Sequence, residues 1–248
     1  MSIIGIIGGS GLNNPDILSN PCDEKIQTTY GEPSSPIKRG TINGIEVALL
    51  ARHGREHTIP PAQVNYRANI TALKSIGCSL IIATTAVGSL REEIRRGDLV
   101  IIDQFIDFTK QRKMTFFESF EPGKPIHCPM ADPYDSRLRK ILIDECKLLG
   151  YPFHDRGTVV TIEGPRFSSR AESFMFRTLG ADIINMSIAT ETVLANEASL
   201  PYAAVAMSTD YDCWKSDEEP VSWEAILKVF NENAAKVTTL LKNVIPKM

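Results

Sequence analysis

The sequence predicts an α/β fold: a single domain, residues 1–248, with a largely parallel, mixed central sheet flanked by helices. Three observations lead to this expectation. Short apolar runs alternate along the chain with segments of helical periodicity, as in parallel α/β proteins. The chain has 248 residues, of which 43% are hydrophobic, enough to bury one large core. No internal repeat, low-complexity linker or change in composition divides it.

The predicted strands are short β-branched or aliphatic runs of the kind found in buried parallel sheets. They lie at residues 3–7, 46–50, 80–85, 99–102, 157–162, 183–185 and 202–207. The first run has no basic segment before it and leads into a glycine-rich turn, which fits a strand and not a secretory signal. Because no apolar stretch reaches the length of a membrane span, we expect a soluble, cytoplasmic protein with no membrane partner.

Four segments have the periodicity or the capping residues of helices: residues 63–76, 136–149, 169–179 and 222–243. Asp135 and Gly150 flank the second segment as a candidate N-cap and stop. Ser169 and Glu172 have the spacing of a capping box at the start of the third. Residues 107–133 contain Pro, Gly and aromatics without a period. Loops of this length in compact domains are usually functional or form interfaces.

Charge and cysteine content exclude several classes of function. The net charge is −3 and the isoelectric point is near 5.9, whereas a protein that binds nucleic acid needs a strongly basic face. The five cysteines are dispersed without a C-x-x-C pair, which indicates reduced thiols and neither a disulfide framework nor a zinc site. We therefore expect no nucleic-acid partner and no zinc site.

Two carboxylates follow the apolar run that ends at residue 207, in Asp210-Tyr211-Asp212. Ligands of open α/β sheets bind beyond the carboxyl ends of the strands. A carboxyl group there, partly shut off from water, can stay protonated and donate a hydrogen bond. Adenine presents an acceptor, N7, beside a donor, the N6 amine, so a protonated Asp210 and an ionised Asp212 would bind both. The alternative is a solvated turn, where Asp is common.

Other predicted strand ends carry side chains or turns that suit an anion. They are Ser10 in the turn Gly8-Gly9-Ser10-Gly11, Arg52 with His53, Thr85, and Ser187 near a helix start. Glycine-rich turns and helix starts present backbone N–H groups, and the planar guanidinium can bind phosphate through two parallel hydrogen bonds. Each alone is compatible with ordinary loop chemistry. Arg52-His53-Gly54 also resembles the nucleophile motif of histidine phosphatases. Phe167, at a strand-to-helix junction, is either a stacking partner for a planar base or a core residue.

Five longer segments together resemble the trimeric purine nucleoside phosphorylases and, within them, the 5'-methylthioadenosine phosphorylases. They are IGIIGGSGL, LLARHGREHTIPPAQVNYRANI, TTAVGSLREEIRRGDLVIIDQFIDFT, VTIEGPRFSSRAESFMFRTLGADIINM and AMSTDYDCW. The resemblance covers effectively the whole chain. It implies a purine nucleoside phosphorylase-like fold and phosphorolysis of 5'-methylthioadenosine to adenine and 5-methylthioribose-1-phosphate, a step of purine and methionine salvage. Phosphate is then a co-substrate, and no metal or organic cofactor is implied.

The same resemblance implies a role for individual residues. The phosphate site would consist of Ser10, Arg52, His53, Thr85, the Ala86 backbone and Ser187. Phe167 and Met186 would pack against base and ribose, and Asp210 and Asp212 would bind adenine, with Asp210 and Ser187 as the catalytic groups. Relatives that use 6-oxopurines tend to have Asn where this chain has Asp210. His127 would reach into a neighbouring subunit's site, which implies a homotrimer with sites near the subunit interfaces.

The chain departs from the family pattern in three places. Ser187 stands where Thr is usual and keeps the hydroxyl group. Trp223 stands where a small aliphatic residue is common in the pocket for the 5' substituent, and Ile226 there is also apolar. The sequence ends at Met248, without the C-terminal extension of longer relatives. We expect Trp223 to supply the apolar cover that this extension gives elsewhere.

Several functions therefore remain open from the sequence. An adenosine or methylthioinosine phosphorylase on the same scaffold is the nearest alternative. A histidine phosphatase that uses His53 as a phosphate carrier and a non-catalytic nucleoside-binding protein are more distant ones.

Overall fold

The apolar runs of the sequence form the strands of one sheet. The structure is a computed structural model that describes residues 3–9, 17–217 and 222–248. Its strands are β1 (Ile3–Gly8), β2 (Ser19–Glu24), β3 (Ile37–Ile42), β4 (Ile45–Ala51), β5 (Cys78–Ser89), β6 (Leu99–Ile101), β7 (Gln104–Phe108), β8 (Phe153–His154), β9 (Thr158–Ile162), β10 (Ile183–Asn185) and β11 (Tyr202–Asp210). Its α-helices are α1 (Tyr66–Ser75), α2 (Ser136–Leu149), α3 (Arg170–Thr178), α4 (Ile188–Glu197) and α5 (Trp223–Val244).

The long strand β5 organises the sheet. The strand order is β2-β3-β4-β1-β5-β10-β9-β7, and β11, β6 and β8 branch off beside β5. Strand β5 pairs along one edge with β11, from Ile81 to Gly88; along the other edge it pairs with β1, from Cys78 to Ala83, and with β10, at Gly88 and Ser89. Six strand pairs are parallel and four are antiparallel. The predicted mixed, largely parallel sheet is confirmed.

Helices cover both faces of this sheet and bury two large cores. Helices α1 and α4 pack on one face, and α2 and α5 pack on the other. Neighbouring strand residues point to opposite faces, so Leu50 and Ile81 join the first core while Leu49 and Ile82 join the second. Strands that are buried on both faces read as continuous apolar runs, which is why the sequence reveals them.

Every predicted strand and helix is present, with bounds that differ by a few residues. Helix α2 has the predicted bounds: Asp135 accepts a hydrogen bond from the Leu138 N–H, and Gly150 ends the helix with φ of 65°. The capping box of α3 is formed by Ser169 and Glu172. Strand β11 runs three residues beyond the predicted end at residue 207, so Asp210 is its last residue and not part of a turn.

Four strands and one helix range were not predicted. Strand β2 is polar and exposed and contains Pro21, while β3, β7 and β8 are short or polar. The sequence predicts a helix start near Ser187, but it does not delimit α4 because this helix is buried on nearly all sides. Thr190, Glu191 and Thr192 are each 0% exposed, so polar residues do not mark a solvent face there.

The expectations about the cysteines and about membrane spans can be compared with the described residues. All five cysteines lie among them, and each is a free thiol. No helix in the described ranges is long and apolar enough to cross a membrane.

Candidate active site

The carboxyl ends of β1, β4, β5, β9, β10 and β11 converge around one cavity of about 350 Å³. This volume is in the range of small-molecule sites, and the position is the one at which open α/β sheets bind ligands. Most of the residues predicted for the site line it: Arg52, His53, Thr85, Ala86, Phe167, Met186, Ser187, Asp210, Asp212, Trp223 and Ile226. Their convergence agrees with the predicted site, and their individual roles remain predictions.

Two predicted site residues are not among those that line the cavity. Ser10 lies outside the described residues. His127 lies in the loop between β7 and α2, where it is exposed and its ring packs 5.8 Å from that of Phe120. The prediction that His127 serves a neighbouring subunit therefore stays a prediction.

Arg52 is buried at one end of the cavity and is bonded differently from the expectation. Its side chain is 1% exposed; Nε donates to Glu191 Oε1 at 2.5 Å and Nη2 donates to Glu191 Oε2 at 2.9 Å. Nη1 donates to the Thr84 carbonyl at 2.9 Å. The planar fork that was expected to bind phosphate thus holds a carboxylate. Among the described residues these bonds use three of the five guanidinium N–H groups, which leaves two for an anion.

Glu191 is a site residue that sequence reasoning missed. It is fully buried, and it also accepts a hydrogen bond from the Tyr202 hydroxyl at 2.9 Å. Burial alone would lower the pKa of Arg52, but the Glu191 carboxylate holds it above the usual value. Gly9 permits this arrangement, because a Cβ there would lie 2.8 Å from Arg52 Nη1. The sequence did contain a signal for Glu191: a single charged residue among the small and apolar residues at the start of α4 indicates a buried carboxylate with a partner.

His53 lies beside Arg52 and is neutral. Burial, together with the positive charge of Arg52, lowers the pKa of His53 to about 3. Its Nδ1 lies 2.9 Å from the Ile59 carbonyl oxygen, which can only accept, so Nδ1 carries the proton and Nε2 the lone pair. The His57 ring packs 4.5 Å from the His53 ring and 5.0 Å from Trp223. These three rings form a row along one wall of the cavity.

A buried network of hydroxyl and amide groups positions Thr85 and Ser187. Thr161 Oγ1 donates to Asn185 Oδ1 at 2.8 Å, and Asn185 Nδ2 donates to Thr85 Oγ1 at 3.3 Å. The Ser187 N–H donates to the same Asn185 oxygen at 3.4 Å. Ser187 is the N-cap residue of α4 but makes no side-chain capping bond, so its hydroxyl is available to a ligand. Thr161 and Asn185 were also missed by sequence reasoning.

Asp210 and Asp212 lie at the other end of the cavity in different surroundings. Asp210 accepts from the Asp212 N–H at 2.8 Å and from the Thr209 hydroxyl at 2.9 Å. Burial raises the pKa of Asp210 to about 6, in the predicted direction. Asp212 accepts from the Ser168 hydroxyl at 2.8 Å and from the Ser173 hydroxyl at 2.5 Å. A proton acceptor of the ligand beside Asp210 would stabilise the protonated carboxyl further.

Apolar groups form the walls between these two ends. Met186 is half-buried, and its Sδ lies so close to Gly164 that a Cβ there would be 2.5 Å away. Phe167 is 40% exposed and Trp223 is 41% exposed, so both are wall residues and not core residues. Within the described ranges, no three His, Cys, Asp or Glu side chains are grouped as a metal site requires.

A strand-end cavity with a buried Arg at one end and paired carboxylates at the other matches the arrangement that the family resemblance implies. The profile of the family described as the phosphorylase superfamily matches residues 3–246. The chain belongs to this superfamily. Membership favours the phosphorylase interpretation of Arg52-His53-Gly54 over the histidine phosphatase alternative.

Several similar proteins within the superfamily have methylthioadenosine phosphorylase in their names. The chain is 54% identical to S-methyl-5'-thioadenosine phosphorylase of Xenopus tropicalis, over 99% of this chain and 88% of the relative. It is 50% identical to the enzyme of that name from Thermofilum pendens, over 99% of this chain and 92% of the relative. The solved methylthioadenosine phosphorylase of Schistosoma mansoni in complex with adenine superimposes with a TM-score of 0.94 at 39% identity, over 99% of this chain and 91% of that one. A mutant adenosine/methylthioadenosine phosphorylase from the same organism, in complex with methylthioadenosine, superimposes with a TM-score of 0.93 at 38% identity, with the same coverage.

Proposed function

We propose that the protein catalyses the phosphorolysis of 5'-methylthioadenosine to adenine and 5-methylthioribose-1-phosphate. The observation that carries this proposal is one cavity with Arg52 and hydroxyl groups at one end and Asp210 at the other. The first end suits phosphate and the second suits adenine. The relatives named S-methyl-5'-thioadenosine phosphorylase support the same reaction.

The geometry accounts for each part of the reaction. Breaking the N-glycosidic bond leaves positive charge on the ribose and sends the bonding electron pair to the base. A phosphate oxygen, positioned by Arg52, Thr85 and Ser187, forms the new bond to the anomeric carbon. Asp210 gives its proton to N7 of the leaving adenine, and Asp212 accepts from the N6 amine. The phosphate is both nucleophile and counter-charge, so the enzyme needs no nucleophile or cofactor of its own.

The remaining parts of the proposal concern residues outside the described cavity. Ser10, which follows β1 in the sequence, completes the phosphate site. The assembly is a homotrimer in the cytoplasm, in which His127 reaches the site of a neighbouring subunit. A subunit interface at α3 is supported by four exposed apolar side chains on or beside this helix: Phe108, Phe174, Met175 and Leu179. Size-exclusion chromatography with light scattering tests the trimer, and a monomer at micromolar concentration would contradict it.

Adenine release from 5'-methylthioadenosine, with and without phosphate, tests the function directly. Adenosine, methylthioinosine and inosine serve as comparison substrates. We expect turnover only with phosphate and the highest kcat/KM for the methylthio-adenine substrate. Preference for adenosine would keep the mechanism and change the substrate, whereas release of adenine without phosphate would mean hydrolysis and contradict the proposal.

Trp223→Val is expected to raise the KM for 5'-methylthioadenosine more than the KM for adenosine. Trp223 is the first residue of α5 and lines the cavity, where its ring packs on His57. Removing the ring takes away apolar surface against which a methylthio group would be buried, a loss of roughly 25 cal/mol per Å² of that contact. A 5'-hydroxyl gains little from that surface. Steady-state kinetics with both nucleosides measures the difference, and equal increases would exclude a contact between Trp223 and the 5' substituent.

A further inference from the structure

The segment between β7 and α2 is mostly exposed, but it has one buried charged side chain near its start. Arg112, near its start, has a side chain that is 2% exposed, whereas residues 118–127 are exposed without exception. Arg112 does not line the cavity. A buried charge requires partners, and the identity of these partners indicates what the residue does.

All five guanidinium N–H groups of Arg112 have acceptors. Nε donates to Glu163 Oε1 at 3.1 Å, and Nη2 donates to the carbonyls of Glu163 at 2.8 Å and Ile162 at 3.3 Å. Nη1 donates to the Tyr66 hydroxyl at 3.1 Å and to Thr190 Oγ1 at 3.2 Å. Arg112 therefore joins the end of β9, α1 and α4. A lysine has three donors at one point and cannot reproduce this set.

The acceptors of Arg112 hold residues that line the cavity, among them Met186, which the family resemblance assigns to the base and ribose. Ile162 lines the cavity itself. The single proton of the Tyr66 hydroxyl is within reach of two carbonyl oxygens, that of Pro61 at 3.1 Å and that of Met186 at 3.4 Å, and both of these residues also line the cavity. Glu163 begins the short connection from β9 to the wall residue Phe167.

The same contacts fix the long segment in place. Glu163 Oε2 accepts from the backbone N–H groups of Lys110 at 2.5 Å and Gln111 at 3.0 Å. These hydrogen bonds and the charge of Arg112 keep the pKa of Glu163 low in spite of its burial. The carboxylate thus stays ionised at neutral pH and holds the start of the segment against the cavity wall.

We propose that Arg112 is a positioning residue for nucleoside binding. It aligns the walls that carry Pro61, Met186 and Phe167 and ties them to the segment that carries His127. Arg112 touches no reacting atom. This inference rests on the proposed function, because it concerns the substrate of that reaction.

The phosphate end has its own supports, so we expect the effect to fall mainly on the nucleoside. Arg52 is held by Glu191 and Thr84, and Thr85 is held by Asn185. Loss of Arg112 removes none of these bonds. We expect Arg112→Met to raise the nucleoside KM by about ten-fold or more, since small displacements of positioning groups have effects of that size or larger. The phosphate KM should change by less than about two-fold.

Arg112→Lys separates positioning from charge. The charge of Arg112 is one of the smaller causes that lower the pKa of His53, at the phosphate end. If Arg112 acts through its five hydrogen bonds, the lysine variant loses nucleoside affinity as the methionine variant does. If it acts through its charge, lysine restores the wild-type constants. Restoration by lysine, or an equal rise of the phosphate KM, would overturn the proposal.

Arg139→Met is the matched control. Arg139 is half-buried on α2 and also donates to backbone carbonyls, those of Ile102 at 3.0 Å and Asp155 at 2.7 Å, but it does not line the cavity. We expect both KM values to stay at wild type in this variant. A rise of the nucleoside KM there would mean that general loosening, and not Arg112, is responsible.

Tyr66→Phe keeps the proposal testable if the Arg112 variants do not fold. It removes one hydroxyl group that links Arg112 to Pro61 and Met186, and we expect a smaller increase in the nucleoside KM alone. An unchanged nucleoside KM would count against the proposal. If the wild-type protein has no phosphorolytic activity, the proposed function fails. Calorimetric titration of each variant with 5'-methylthioadenosine then still shows whether Arg112 supports nucleoside binding.

Discussion

Glu191→Gln is expected to lower the free energy of unfolding by about 3–5 kcal/mol, the usual cost of breaking a buried ion pair by removing one partner. Arg52 and Glu191 are 1% and 0% exposed, so neither side chain can be hydrated in place of its partner. The oxygen of a glutamine can accept from one of the two Arg52 N–H groups that Glu191 binds. The glutamine NH2 group, which is itself a donor, then faces the other Arg52 N–H group. The Tyr202 hydroxyl loses part of its acceptor as well.

Urea unfolding of the purified variant measures this cost. Glu121→Gln is the matched control, because Glu121 makes an ion pair with Lys124 in which both side chains are more than 70% exposed. Exposed pairs contribute little to stability, so this variant should unfold as the wild type does. A Glu191→Gln variant of unchanged stability would mean that Arg52 is not held as a charged partner in the folded protein.

The double variant Arg52→Met with Glu191→Gln distinguishes pairing from separate contributions. Each single change leaves one buried group without its partner, and the double change removes both charges. We therefore expect the double variant to be more stable than the sum of the two single effects predicts, by more than about 1 kcal/mol. Strict additivity would contradict the pairing. The phosphate KM of Glu191→Gln should rise, because Arg52 loses the carboxylate that orients it.

The parts of the fold that the sequence predicts are those with local signals. Helix α2 was delimited by its own caps, Asp135 and Gly150, and α3 by the Ser169 capping box. Apolar runs revealed the buried strands because both faces of the sheet are covered. Strand ends then indicated where a ligand binds, since parallel strands bring their carboxyl ends to one edge of the sheet.

The parts that the sequence did not reveal depend on partners far apart in the chain. Arg52 and Glu191 are 139 positions apart, and Arg112 lies 78 positions from Thr190. The hydrophobic periodicity of the sequence does not indicate such a pairing. Arg52 was assigned to phosphate because an Arg after a strand suits an anion. The carboxylate that accepts from two of its five N–H groups lies on a helix without an amphipathic stripe. Arg112 lies in a segment with no period.

Asp210→Asn is the second change with a large expected effect, and the surroundings of Asp210 accommodate it. An asparagine oxygen can still accept from the Asp212 N–H. Thr209 Oγ1 also lies 3.2 Å from the Val87 carbonyl, so the hydroxyl can donate there and accept from the new amide. The variant should therefore fold, and its kinetic effect can be attributed to the side chain at residue 210.

Turnover of 5'-methylthioadenosine by Asp210→Asn is expected to fall by about 10²–10⁴-fold, the usual contribution of general acid catalysis. Asparagine cannot give up a proton to N7. Its amide N–H can instead donate to N7 or O6 of a 6-oxopurine, where adenine presents an amine. The ratio of kcat/KM for inosine to that for adenosine should therefore rise. Asp210 would lose its assigned role if selectivity and turnover stayed at wild type.

The same substitution is expected to stabilise the ligand-free protein at high pH. Burial raises the pKa of Asp210 from 3.8 to about 6, so the folded state binds the proton more tightly than the unfolded state does. The contribution of this group to stability is complete below about pH 4 and is lost as pH rises through 6, which at pH 8 amounts to about 3 kcal/mol. Asparagine has no charged form and avoids this loss. The difference in unfolding free energy between variant and wild type should thus be smallest below about pH 4, grow mainly between about pH 4 and 6, and stay level above about pH 7. A variant that is less active and more stable would show that the Asp210 carboxyl group lowers the stability of the fold and is required for catalysis. A difference that does not depend on pH would show that burial does not hold the proton of Asp210.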